Sequence, residues 1–209
     1  AADVPEGVNT RTINGIIVPD GTSASVAFFN AGYYLNELEF TVGEDGVATI
    51  GLRLDKTIGS NDYVVVGEWK LWYMGDPGVV EQDVSDLIVN NNFDPARGDK
   101  NTSTIEGWTT TTLNGYKQNT ASYNKNTFSL SQKLTGLPKG KYKVTVHTFY
   151  RAGSYEEEEA NINSGVDTHL AKFYAETSEK TFEKAVMNLS EGGVTDAADV
   201  PEGVNTRTI

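Results

Sequence analysis

Alternation of apolar and polar residues at period two is the feature that most restricts the fold. Residues 141–150 read KYKVTVHTFY, which puts Tyr142, Val144, Val146, Thr148 and Tyr150 on one face and Lys141, Lys143, Thr145, His147 and Phe149 on the other. Ala48, Ile50, Leu52 and Leu54 alternate with Thr49, Gly51 and Arg53, and Leu38, Phe40 and Val42 alternate with Glu37, Glu39 and Thr41. From residue 64 to 73 the expected faces are Val65, Gly67, Trp69, Leu71 and Tyr73 against Val64, Val66, Glu68, Lys70 and Trp72. Further strands are predicted over 87–93, 108–112, 127–134, 170–175 and 181–189, with turns at Glu44-Asp45-Gly46, Asp76-Pro77-Gly78 and around Gly136 and Gly140. Only residues 22–30 suggest a helix. Many short strands with one polar face predict an all-β fold, an antiparallel β-sandwich of jelly-roll type.

The two ends of the sequence are the same. Residues 1–13 read AADVPEGVNTRTI, and residues 197–209 repeat that string at every position, a period of 196 residues. Solenoid units run to roughly 20–50 residues, so this period is that of a whole domain. Either the chain is one period of a tandem array, or it is a circular permutant with an overlap. In both cases a single slot in the fold faces two copies of the segment, whose Asp, Pro, Glu, Gly and Asn content reads as loop rather than core. One copy is expected to fill it, while the other lies on the surface, frays, or fills the slot of a neighbouring molecule. Residues 76–86 have linker-like composition. The natural order is therefore expected to be 87–196 followed by 1–75, within a single sandwich domain.

Composition removes several functions. The net charge of −12 disfavours nucleic-acid and polybasic membrane binding, because both need clustered Lys and Arg. With no cysteine, disulfide scaffolds, zinc ribbons and thiol nucleophiles are excluded. No apolar run is long enough to cross a bilayer. The two histidines, His147 and His169, lack the spacing of a zinc site, and no nucleophile elbow accompanies them. Glu37 and Glu39 share one strand face without a third acid, which reads as a solvated face rather than a glycosidase pair. Glu156, Glu157, Glu158 and Glu159 read as an acidic, solvated loop. The chain is expected not to be an enzyme.

Gln132, Leu134, Gly136, Leu137, Pro138, Gly140, Tyr142 and Val144 form a strand–turn–strand pattern. It resembles the signature of galactose-binding-like β-sandwich domains, which include many carbohydrate-binding modules of secreted bacterial proteins. Asn91-Asn92-Phe93 and Gly107-Trp108 are similar to that family's opening strand and first tryptophan. Residues 149–153, 32–38, Gly51 and 69–73 continue the likeness, most closely to domains of Bacteroidetes surface and secreted proteins. The likeness spans the 196-residue period only in permuted order. It implies a non-catalytic carbohydrate-binding module, secreted or on the cell surface, with a glycan as ligand. It also implies a structural calcium ion near the first and last strands, for which Asp94, Asp99 and Glu68 are the candidates.

Sugar recognition uses aromatic platforms and a few hydrogen-bonding side chains. The three Trp, ten Tyr and eight Phe suffice for both a core and a site. Trp69 and Trp108 read as structural. Trp72 falls on the outward face of its strand and is a binding candidate. The remaining candidates cluster in loops at one end of the sandwich: Arg151, Tyr155, Tyr33, Tyr34 and Asn36. The alternative function is a structural or adhesin repeat whose partners are neighbouring copies of the same domain.

Overall fold

The computed structural model describes residues 8–75, 80–99, 101–202 and 204–205. A hairpin of β1 (Val8–Ile13) and β2 (Ile16–Asp20) leads through α1 (Thr22–Asn30) into three long strands, β3 (Leu35–Val42), β4 (Ala48–Leu54) and β5 (Tyr63–Gly75). Short strands follow: β6 (Gln82–Asp83), β7 (Gly98–Asp99), β8 (Thr104–Ile105), β9 (Thr109–Thr110) and β10 (Gly115–Lys117). Then come β11 (Thr120–Asn124), β12 (Phe128–Leu134) and β13 (Gly140–Arg151). Helix α2 (Tyr155–Asn163), β14 (Ala171–Thr177), β15 (Thr181–Ala185) and β16 (Val204–Asn205) complete the order.

Two antiparallel sheets make an all-β sandwich. One has the order β10-β11-β5-β13-β3, with β6 on β5; the other has the order β15-β14-β4-β12-β9. Their inner faces carry the alternating apolar sets: Tyr142, Val144 and Val146 from β13 meet Ile50, Leu52 and Leu54 from β4. Trp69 is fully buried between the sheets, against Trp108 at 5.0 Å and Phe173 at 5.6 Å. The turn at Gly136 has φ of 73°, a left-handed conformation that glycine adopts without strain, and Leu134 and Tyr142 on either side of it face the core.

A third layer covers part of one sheet. The β1–β2 hairpin, closed by Asn14-Gly15 with both φ angles positive, packs with α1 on the outer face of β5 and β13. Ile13, Val18, Phe28, Tyr34, Val65 and Phe149 form this second core. One sheet is thus apolar on both faces at one end and polar outside at the other.

A β-bulge produces that change. Val146 pairs with Trp69 but Thr148 pairs with Val66, so Gly67 and Glu68 together oppose His147. The extra residue flips the side-chain parity of β5. Val64 and Val66 consequently join Trp69 and Leu71 in the main core, while Val65 enters the second core. This corrects the unbroken alternation expected across residues 64–73.

Other expectations also change. Residues 87–93 form no strand. Ser85–Leu87 make a 3-10 turn, and the segment lies along β5 through Trp69 N donating to Asn91 O at 2.8 Å and Val84 N donating to Leu71 O at 2.8 Å. Their neighbourhood to β5 is as expected; a regular ladder is not. Of the expected linker 76–86, residues 76–79, with the turn at Asp76-Pro77-Gly78, lie outside the described residues. Residues 82–83 pair with β5 as β6. The acidic stretch is helix α2 rather than a loop. The strand expected over 108–112 is only β9, and that over 181–189 stops at Ala185.

Candidate functional site

The outer face of β5 and β13 becomes a trough where the third layer ends. Register sets its lining: Lys143 opposes Trp72, Thr145 opposes Lys70 and Glu37, and His147 opposes Leu35. Period-two geometry then aims Trp72, Lys70 and Glu68 outward beside Lys143, Thr145 and His147. Two adjoining clefts, of about 430 and about 260 Å³, share Glu68, Lys70 and His147. Their far ends are Trp72 on one side and, on the other, Asn92, Gln118 and Asn119 below α1.

Gly67 makes the inner wall possible. A Cβ there would lie 2.7 Å from Phe29 Cδ2, so only glycine lets the α1 ring lie against the bulge. Phe29 in turn sits 5.8 Å from the His147 ring. His147 Nδ1 donates to the Tyr33 carbonyl oxygen at 2.8 Å, which sets the neutral ring in one tautomer with Nε2 as its acceptor.

The charges of the trough are mixed in sign. Lys70 lies 3.5 Å from Glu68, and Lys143 lies 2.5 Å from Glu81. The hydrogen bond that Lys143 donates to Glu81 holds its pKa above the ordinary value. The Lys143 ammonium also lies 5.6 Å from the Trp72 ring centroid. Donors, acceptors, an indole and an imidazole therefore line one open surface without a dominant sign of charge.

The loop cluster expected to bind ligand is tied into the surrounding fold. Tyr34 is 2% exposed, and its hydroxyl donates to Leu189 O at 2.8 Å. Burial pushes its pKa up. Asn36 is buried too: its amide donates to Tyr34 O and Thr148 O, and its Oδ1 accepts from Met187 N. Both side chains thus join the start of β3 to segments distant in sequence. Tyr155 opens α2 between two guanidinium groups, Arg151 at 4.3 Å and Arg11 at 4.7 Å, with its hydroxyl on Asp20 Oδ1 at 2.9 Å. Arg151 is held by Asn61 O and Gly153 O. These residues bind the β1–β2 hairpin to α2 and β13. Tyr33 is half-buried and donates to Asp199 O at 3.2 Å. Of the expected binding residues, Trp72 alone lines the trough.

The expected calcium ligands do not converge. Among the described residues, no group of three or more His, Asp or Glu side chains is placed to hold a metal ion. Asp94 Oδ1 accepts from Ala96 N, Asp99 Oδ1 accepts from Asn101 N, and Glu68 faces Lys70 in the trough. Both aspartates thus shape their own loops. Among the described residues, no helix is long and apolar enough to cross a membrane.

His147, Lys70, Asn92, Gln118 and Asn119 were not among the expected ligand-binding residues. The outward faces of residues 68–72 and 143–147 were legible there; that the two strands are neighbours was not. Comparison with known proteins finds no matching family model, no similar curated protein and no similar solved structure.

Proposed function

We propose that this protein is a non-catalytic carbohydrate-binding module, resembling galactose-binding-like sandwich domains, and that the trough over β5 and β13 is its glycan site. The observation that carries the reading is the continuity of the trough, with Trp72 at one end and amide side chains at the other around a shared Glu68, Lys70 and His147. An indole supplies a platform for the apolar C–H face of a pyranose, and the polar groups match its hydroxyls. Paired charges of both signs favour a neutral sugar over a polyanion. Its setting in this reading is a secreted or surface bacterial protein.

The test is a glycan array followed by calorimetry on the best ligand. Trp72→Ala is expected to weaken binding about 10-fold or more, the equivalent of about 1.4 kcal/mol. Its melting temperature should stay near that of the parent, because Trp72 lies on the outer face. Tyr155→Ala is the contrast: it should lower stability and leave affinity intact. No binding across diverse neutral glycans would remove the reading. The identity of the two end segments favours a second one, a structural repeat that contacts its own copies.

A further inference from the structure

The two copies of AADVPEGVNTRTI meet in the fold. Residues 8–13 of the first copy form β1, and residues 204–205 of the second form β16 beside it. The strands run parallel, with Val8 opposite Val204 and Asn9 opposite Asn205. Each residue therefore faces its own duplicate. The second copy is anchored on its approach, where Tyr33 donates to Asp199 O and Val200 packs against the second core.

What the β1 position demands can be read from its contacts. It pairs with β2 from Asn9 opposite Asp20 to Ile13 opposite Ile16. Ile13 is 1% exposed within the second core. Arg11 Nε donates to Asp20 Oδ2 at 3.0 Å, and its guanidinium covers Tyr155. These contacts come from Asn-Thr-Arg-Thr-Ile, which recurs at 205–209; residues 206–209 lie outside the described residues and enter by sequence identity alone.

Identical segments make identical contacts in one slot. The choice between them then rests on the connecting chain and on concentration, not on side-chain fit. β16 is offset from the β1 position by a single strand spacing, about 4.8 Å, in the same register. Exchange therefore needs no slip that would turn Ile from core to solvent.

We propose that the β1 slot accepts residues 204–209 of a second molecule in place of its own residues 8–13, so that copies of this protein join head to tail by strand exchange. The donor end and the slot are different surfaces, so the contact is heterologous and propagates as an open chain unless its rotation closes a ring. This inference rests on the repeat and not on the trough, so glycan binding and strand exchange stand or fall separately.

The experiment uses the full chain and three variants: Ile13→Asp, which spoils the resident strand, Ile209→Asp, which spoils the donor, and the two together. Thermal melting and sedimentation velocity over a wide concentration range are the readouts. The Ile13→Asp chain should melt near the parent and shift to dimers and larger species as concentration rises. The Ile209→Asp chain should be folded and monomeric throughout. The double variant should melt far below either single one, a strongly non-additive pair. An Ile13→Asp chain that melts as low as the double variant overturns the proposal, because the second copy then cannot fill the slot. An Ile13→Asp chain that is folded but monomeric at every concentration overturns it equally, because exchange would be confined within one molecule.

Discussion

Glu158 is an acidic side chain with no exposed surface. Its two oxygens accept from Ala152 N at 2.9 Å and Ser190 N at 3.2 Å. Burial nevertheless raises its pKa from 4.5 to about 7. Below 4.5 both folded and unfolded chains hold the proton. Above that, the unfolded chain releases it first, so stability falls as pH rises and the loss is complete beyond about 7, amounting to about 3 kcal/mol. His169 has the same sign: its bond to Glu191 raises its pKa, so its contribution is present below 6.5 and lost as pH rises through the raised value. The melting temperature is therefore expected to fall between pH 5 and pH 8. Glu158→Gln should remove most of that slope, yet be less stable at pH 5, since its NH₂ would face the N–H of Ala152 or Ser190. A parent melting temperature that climbs through this interval contradicts the assignment. In sequence, Glu158 was one acid in a run of four; only packing distinguishes it from Glu156 and Glu157.

Elements were legible to the extent that their signals are local. Helix α1 coincides with the predicted residues 22–30, and β13 with the alternation of residues 141–150. Helix α2 carried a local signal too, because Ser154 and Glu157 have capping-box spacing. Ser154 Oγ accepts from Glu157 N at 3.1 Å, and Glu157 accepts from Ser154 N at 2.6 Å. Acidic residues in the first turn also suit the positive end of the helix dipole. Reading the run as a solvated loop ignored the cap. Ser154→Ala is expected to cost about 1 kcal/mol, measured by denaturant unfolding; an unchanged midpoint would show that the cap is dispensable to α2. The bulge at Gly67 carried no such signal. A lone glycine in a strand pattern is compatible with a bulge or with a regular strand, and Phe29, distant in sequence, decides between them.

At the scale of the molecule, two apolar cores share one sheet. β5 and β13 supply Val64, Val66 and Tyr150 to the main core and Val65 and Phe149 to the second. Because the same strands carry both, neither core can melt without disturbing the other's wall. A single unfolding transition is expected by tryptophan fluorescence, which reports on Trp69, Trp72 and Trp108, and by amide exchange in β2. Phe149→Ala should lower both together, by roughly 3–5 kcal/mol. Two separated transitions would mean that the hairpin layer is an independent unit. The sequence by itself determined the strand-rich class and the inward faces of β4 and β13, because period-two patterning is a property of adjacent residues. It also determined the duplication, but not its conformation: the segment reads as loop, whereas Val8–Ile13 form β1 and Ile13 is buried. Only the tertiary structure decided that β5 changes parity, that Tyr34, Asn36 and Tyr155 tie distant segments together, and that Trp72 and His147 share a trough. Those facts depend on which strands become neighbours, a long-range choice whose partners lie scores of residues apart.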